Sequence, residues 1–233
     1  LNYVSTRATA GLQEITPRER ELLLALYDAE INYVDDLIRE FVEFLEAEGL
    51  REDTVIVVLS DHGDAFGEHG LWGHQGRVYN ELCHVPLVIN YPWRDDEVVT
   101  ETTELRELPD HLLALADGST ERMPARGEAL IEYYGWDTQL SFAPWEKYDD
   151  ISVEQCGQYQ AALIEDRLKL ISDAAGSREL YDIEADYAEA SNIANDMEDA
   201  VTRLEERIVD LVGKPEENHA QYRRRITKDD IDQ

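Results

Sequence analysis

The run Thr54-Val-Ile-Val-Val-Leu59 constrains this chain more than any other segment. It is too dense in β-branched residues to keep one face for solvent, so it reads as a strand covered on both sides, as in a parallel sheet. A long amphipathic helix is expected just before it. Thr16 is placed to cap that helix, Pro17 to open it with a pre-set φ, and Glu19 to close a capping box. Tyr27, Ile31, Val34, Ile38, Phe41 and Leu45 then recur in steps of four and three, which lays one apolar stripe along the helix. Gly49 suits the residue just past its end. A second buried strand is predicted over residues 85–90. Helix, strand, long loop, strand is an α/β pattern, and such sheets gather ligand-handling residues in loops beyond the carboxyl ends of their strands.

The remaining segments suggest further layers. Residues 1–14 have weak periodicity and read as a loop or the tail of an earlier element. From about residue 98 a helix is expected, with Leu105, Leu108, Leu112 and Leu115 in register and Gly118 ending it. Residues 119–156 are irregular and aromatic-rich, and Trp136 and Trp145 there are expected to pack a core or lid, with a substrate pocket as the alternative reading. Strand-like runs at 159–164, 167–172 and 179–181 predict a small antiparallel sheet. Met197, Val201, Leu204, Ile208 and Leu211 predict a closing helix that stops at Gly213-Lys214-Pro215. The charged residues 216–233 are expected to fray. These patterns divide the chain into an α/β core portion, 1–118, a C-terminal subdomain, 119–215, and a tail, 216–233. No run of 18 or more apolar residues occurs, so this portion does not span a membrane.

Charge narrows the partners. The chain carries 52 acidic residues against 21 basic ones, a formal net charge of −31. The excess is spread along the sequence, and the few lysines are Lys147, Lys169, Lys214 and Lys228. A dispersed carboxylate surface keeps a protein soluble where salt screens its self-repulsion, so the composition points to salt adaptation. Disorder is excluded by a 43% hydrophobic content organised into periodic segments. Nucleic acid is excluded because phosphates would be repelled. Cys83 and Cys156 lack CxxC spacing and support neither a zinc site nor a disulfide framework.

The densest polar stretch runs from Ser60 to Gln75 and holds His62, His69 and His74 with Asp61, Asp64 and Glu68. Asp61 and His62 follow directly on the expected strand, where a carboxylate and an imidazole can be held as rigidly as metal ligands need. Spacing alone leaves two readings open: a metal half-site, or Asp61 capping a turn with His62 making a structural hydrogen bond. His84 reads as a strand-entry residue, and His111 and His219 as solvent-facing. Glu68 and Asp64 read as surface or loop-bracing carboxylates.

Asp53-Thr-Val-Ile-Val-Val-Leu-Ser60-Asp61-His62-Gly63, continued by Gly67-Glu-His-Gly-Leu-Trp-Gly73 and His84-Val-Pro-Leu-Val-Ile89, resembles the second signature region of sulfatases in the alkaline phosphatase superfamily. Tyr27-Asp-Ala-Glu-Ile31 with Val34-Asp35 is similar to the helix leading into that strand. Glu179-Leu-Tyr-Asp182 with Asn192-Ile-Ala194 resembles a stretch near the sulfatase C-terminus. The resemblance covers about residues 20–213 and implies an alkaline-phosphatase-like α/β fold. Its mixed or parallel sheet is flanked by helices, with a small C-terminal antiparallel sheet and closing helix.

The resemblance implies a hydrolase of small-molecule sulfate esters. It makes Asp61 and His62 two ligands of a divalent metal, usually calcium in this family, with manganese, magnesium or zinc left open by the imidazole. It places the formylglycine nucleophile, made from Cys or Ser in a C/S-x-P/A-x-R motif, in an N-terminal half. Cys83, followed by His-Val-Pro-Leu, and Cys156, followed by Gly-Gln-Tyr-Gln, do not fit that motif. This chain is therefore expected to be the C-terminal half of the fold, inactive by itself. Many members carry a sulfate-contacting Lys after the Gly-Glu-His-Gly-Leu-Trp-Gly segment; here the position holds His74, or Gln75 in another alignment. An imidazolium at His74 could serve the catalytic anion contact, with Arg77 and His69 as further substrate contacts. Two other readings stand beside this one: a phosphoesterase or phosphotransferase of the same superfamily, and a non-catalytic truncated remnant.

Overall fold

A computed structural model of the chain describes residues 2–9, 11–74, 76–135 and 157–221. Gln75, Trp136, Trp145 and Cys156, and the tail beyond residue 221, lie outside the described residues. The chain is mixed α/β and divides into two compact units, one of residues 1–74 with 84–97 and one of residues 75–83 with 98–233.

The first unit opens with α1 (Asn2–Thr9), where the sequence suggested a loop or a tail. Its end is fixed by a contact far along the chain. The Trp72 amide donates to the Thr9 hydroxyl at 2.9 Å, and that hydroxyl donates back to the Trp72 carbonyl at 3.3 Å. α2 (Pro17–Ala47) follows and starts where its capping box requires. The Thr16 amide donates to Glu19 Oε2 at 2.8 Å, and the Glu19 amide donates to Thr16 Oγ1 at 3.3 Å. It stops in a Schellman arrangement. Gly49, at φ 69°, donates to the Glu46 carbonyl and Leu50 to the Leu45 carbonyl. Only the last residue of the expected stripe, Leu45, is buried; Ile31 is 54% and Phe41 53% exposed. Leu22, Leu26, Tyr33, Leu37 and Phe44 add exposed apolar surface on other faces of α2. A helix apolar on several faces is of the kind a larger protein encloses.

β1 (Ile56–Leu59) pairs antiparallel with β4 (Leu87–Asn90), Ile56 opposite Asn90 and Leu59 opposite Leu87. This differs from the doubly covered parallel strand expected from the β-branched run, because Leu59 and Val88 are exposed and no parallel partner occurs among the described residues. The composition of β1 reports the burial the strand is suited to, which the described residues do not supply. Between β1 and β4 lies a short hairpin, β2 (Ala65–Phe66) with β3 (Trp72–Gly73), in the register Ala65 to Gly73 and Phe66 to Trp72. Gly67 sits at its turn with φ 108°, and a Cβ there would meet the Trp72 ring at 3.1 Å.

In the second unit α3 (Asn80–Cys83) is followed by α4 (Leu108–Ala116). The helix expected from about residue 98 begins later, at a 3₁₀ turn over Leu105–Glu107. His111, expected in solvent, is 6% exposed, and burial holds its imidazole pKa below the ordinary value. The helix turns that edge inward because Leu112 and Leu113 point outward instead.

A four-stranded antiparallel sheet follows, in the order β5 (Glu128–Tyr133), β6 (Gln160–Glu165), β7 (Leu168–Asp173), β8 (Arg178–Asp182). β6, β7 and β8 match the three expected runs. β5 lies in the stretch taken as irregular, where the short run Ala129-Leu-Ile131 was its only signal. α5 (Glu198–Val212) closes one face, packing Val201, Leu204 and Ile208 on Tyr159, Ala161, Leu163, Leu170 and Leu180. Residues 215–221 are helical, not frayed. Asn218 Nδ2 donates to the Val212 carbonyl at 2.7 Å. His219 Nδ1 accepts from the Tyr159 backbone amide, and His219 is half-buried, not solvent-facing.

The opposite sheet face is polar and buried. Lys169 on β7 and Glu189 are both fully buried with Nζ 2.7 Å from Oε1. Lys169 also donates to Asn80 Oδ1 at 3.0 Å, while the Asn80 amide donates to Glu189 Oε2 at 2.6 Å. Tyr79 and Tyr181 both donate to Glu179 Oε2, at 2.7 and 2.6 Å.

Candidate metal centre

The loop after β1 is shaped by its own backbone. Ser60 Oγ donates to the His62 carbonyl at 2.7 Å, and the His62 amide donates to Asp61 Oδ1 at 3.0 Å. His62 Nδ1 lies 2.9 Å from the Gly63 carbonyl, so Nδ1 carries the proton and donates, leaving the Nε2 lone pair open. Asp61 Oδ1 stands 3.8 Å from that Nε2, on a side chain 87% exposed. Asp61 and His62 are thus neighbours at one spot, with the imidazole held in a ligand-ready orientation.

The hairpin brings in two more groups. Extending its register outward by one pair sets Asp64 opposite His74, and their side chains meet, Nδ1 to Oδ1 at 3.1 Å. The His74 ring stacks on His62, centroids 4.2 Å apart at 26°. One potential ligand atom from each of His62, Asp64 and His74 lies within 4.8 Å of the others. Two imidazoles and a carboxylate are a donor set that fits a divalent cation. Asp64, read from the sequence as a bracing carboxylate, is the residue whose place in this group was not foreseen. Its signal was the hairpin register, hidden behind the glycine-rich turn.

The other expected residues fall elsewhere. His69 is exposed in the hairpin turn with φ 52° and is not in the His62 group. Arg77 belongs to the second unit, half-buried, where its charge acts on Tyr79. Glu68 braces the turn: Arg20 Nη2 meets Oε1 at 2.9 Å, and Arg20 Nε donates to the Phe66 carbonyl at 2.7 Å. Burial pushes the Cys83 thiol up to about 11, which leaves it protonated and a poor nucleophile near neutral pH. Among the described residues no helix is long and apolar enough to cross a membrane.

The profile of the family described as Sulfatase matches residues 3–119, just over half of the chain and the part that holds this loop. A choline-sulfatase of Rhizobium meliloti is 29% identical over 177 residues, covering 72% of this chain and 32% of that protein. An arylsulfatase of Clostridium perfringens is 27% identical over 181 residues, covering 75% and 36%. The structure of a phosphonate monoester hydrolase from Silicibacter pomeroyi superposes with a TM-score of 0.69 at 22% identity, over 87% of this chain and 44% of that one. It shares the fold. The chain spans about a third of the length of the curated relatives it matches. The loop geometry, the profile match and the shared fold agree, and the chain belongs to the sulfatase family.

Proposed function

We propose that this chain supplies the late metal half-site, Asp61 and His62, of a hydrolase acting on small-molecule sulfate esters. The observation that carries the reading is the His62 imidazole, its Nδ1 tied to Gly63 and its Nε2 turned toward Asp61. A divalent cation held there would polarise the oxygens of the ester and hold a nucleophile in line. The chain's own residues orient that site: the Gly63 carbonyl sets the His62 tautomer, and Ser60 fixes the backbone beneath it.

The nucleophile, a formylglycine on the family pattern, and the remaining metal carboxylates belong in this reading to an N-terminal half of the same fold. The apolar faces of α2 and the exposed Leu59 and Val88 support this, since they are exposed apolar surfaces of the chemistry that further packed elements would cover. The chain alone is expected to give no turnover of an aryl sulfate in molar salt with calcium or manganese. Measurable turnover would contradict a nucleophile carried elsewhere. A phosphorus ester is the second reading, favoured by the fold shared with the phosphonate monoester hydrolase; parallel assays on aryl sulfate and aryl phosphate separate the two.

The acidic surface is proposed to be a salt adaptation. At a net charge of −31, self-repulsion acts over about 30 Å at 0.01 M salt and about 3 Å at 1 M. The melting temperature is expected to rise on passing from dilute to molar potassium chloride. A melting temperature that does not change over that range would contradict it.

A further inference from the structure

The expectation of calcium rested on oxygen-rich coordination with one imidazole, and the structure holds two imidazoles side by side. His74 Nδ1 faces Asp64 Oδ1 at 3.1 Å. This is the carboxylate–histidine pairing that orients metal-bound imidazoles, with the far ring nitrogen, Nε2, turned to the ion. His62 is prepared in the same way by the Gly63 carbonyl at 2.9 Å. The rings stack with centroids 4.2 Å apart, and both are partly open to solvent, so an ion can reach them.

We propose that His74, held against Asp64, joins His62 of the half-site as a metal ligand, so that this loop takes a first-row divalent ion such as zinc or manganese in preference to calcium. Calcium takes six to eight oxygens at about 2.3–2.6 Å, whereas imidazole nitrogen suits zinc at about 2.0–2.1 Å. His74 then faces the metal and not the sulfate. The inference deepens the hydrolase reading and rests on it only for the Asp61-His62 half of the site.

The test is metal binding, not turnover. The metal-free 233-residue chain is dialysed against zinc in molar salt with and without calcium, and cobalt(II) serves as a spectroscopic probe of nitrogen ligation. Zinc is expected to bind one to one and to resist a large excess of calcium. His74→Gln is expected to weaken zinc binding at least about 10- to 100-fold and to change the cobalt absorption, and Asp64→Asn to weaken it about 10-fold. His84→Gln, an exposed histidine outside the group, is expected to leave both unchanged. Wild-type zinc affinity in His74→Gln, or displacement of zinc by equimolar calcium, would overturn the assignment. Because hydrolysis is not read, that outcome would leave the sulfate-ester reading standing. Zinc binding as expected, beside no aryl sulfate turnover by a polypeptide that carries both this chain and the nucleophile, would remove only the sulfate-ester reading.

Discussion

Asp61→Ala, introduced into the polypeptide that carries both this chain and the nucleophile, is expected to lower kcat/KM on an aryl sulfate by about two to four orders of magnitude. A metal Lewis acid contributes several kcal/mol of charge stabilisation, and each ~1.4 kcal/mol is a tenfold rate change. Asp61 is highly exposed and, among the described residues, contacts its neighbour His62 through the backbone amide and Nε2, so its removal costs the fold little. Stability and activity should therefore separate: a nearly unchanged unfolding midpoint beside a collapse in turnover and in bound metal. Near wild-type activity with full metal content would show that Asp61 is not a ligand.

Lys169→Met is expected to show the reverse, a large loss of stability from a residue far from the loop in sequence. Lys169 and Glu189 are both fully buried and share Asn80, so removing the ammonium leaves a buried carboxylate without its counter-charge. Burial is the largest influence on the Glu189 carboxyl and raises its pKa even beside Lys169. Breaking a buried pair from one side costs about 3–5 kcal/mol, whereas replacing both partners with apolar groups is often neutral. Urea unfolding should show that loss in Lys169→Met and a smaller one in Lys169→Met with Glu189→Leu. Equal losses in both would mean that packing around the pair, and not the pair itself, holds segment 75–83 to the sheet.

The parts of the fold that could be read from sequence are those whose determinants are local. Thr16, Pro17, Glu19 and Gly49 place both ends of α2 by capping chemistry alone. β6 and β7 are joined by a two-residue turn at Asp166-Arg167, with Asp166 at φ 53°, and Gly213 at φ 85° follows α5 as its sequence suggested. What escaped depends on partners distant in the chain. β5 is an unremarkable run until it lies against β6, and α1 is held by Thr9 on Trp72. His111 and His219 look like surface residues until tertiary packing buries the first and half-buries the second.

The candidate site divides along the same line. Asp61 and His62 are adjacent in sequence and follow an apolar strand, so their pairing was legible. The meeting of Asp64 with His74 needs the register of a hairpin only two pairs long. His69, in the turn of the same hairpin, is not in the His62 group.

The most direct measurement is hydrolysis of 4-nitrophenyl sulfate, beside 4-nitrophenyl phosphate, by this chain joined to a formylglycine-bearing N-terminal segment of the family, in molar salt with divalent metal. The account expects sulfate turnover that exceeds phosphate turnover, stops with a chelator, and is absent when either part is omitted. Turnover by this chain alone, or phosphate hydrolysis with none of sulfate, would contradict it.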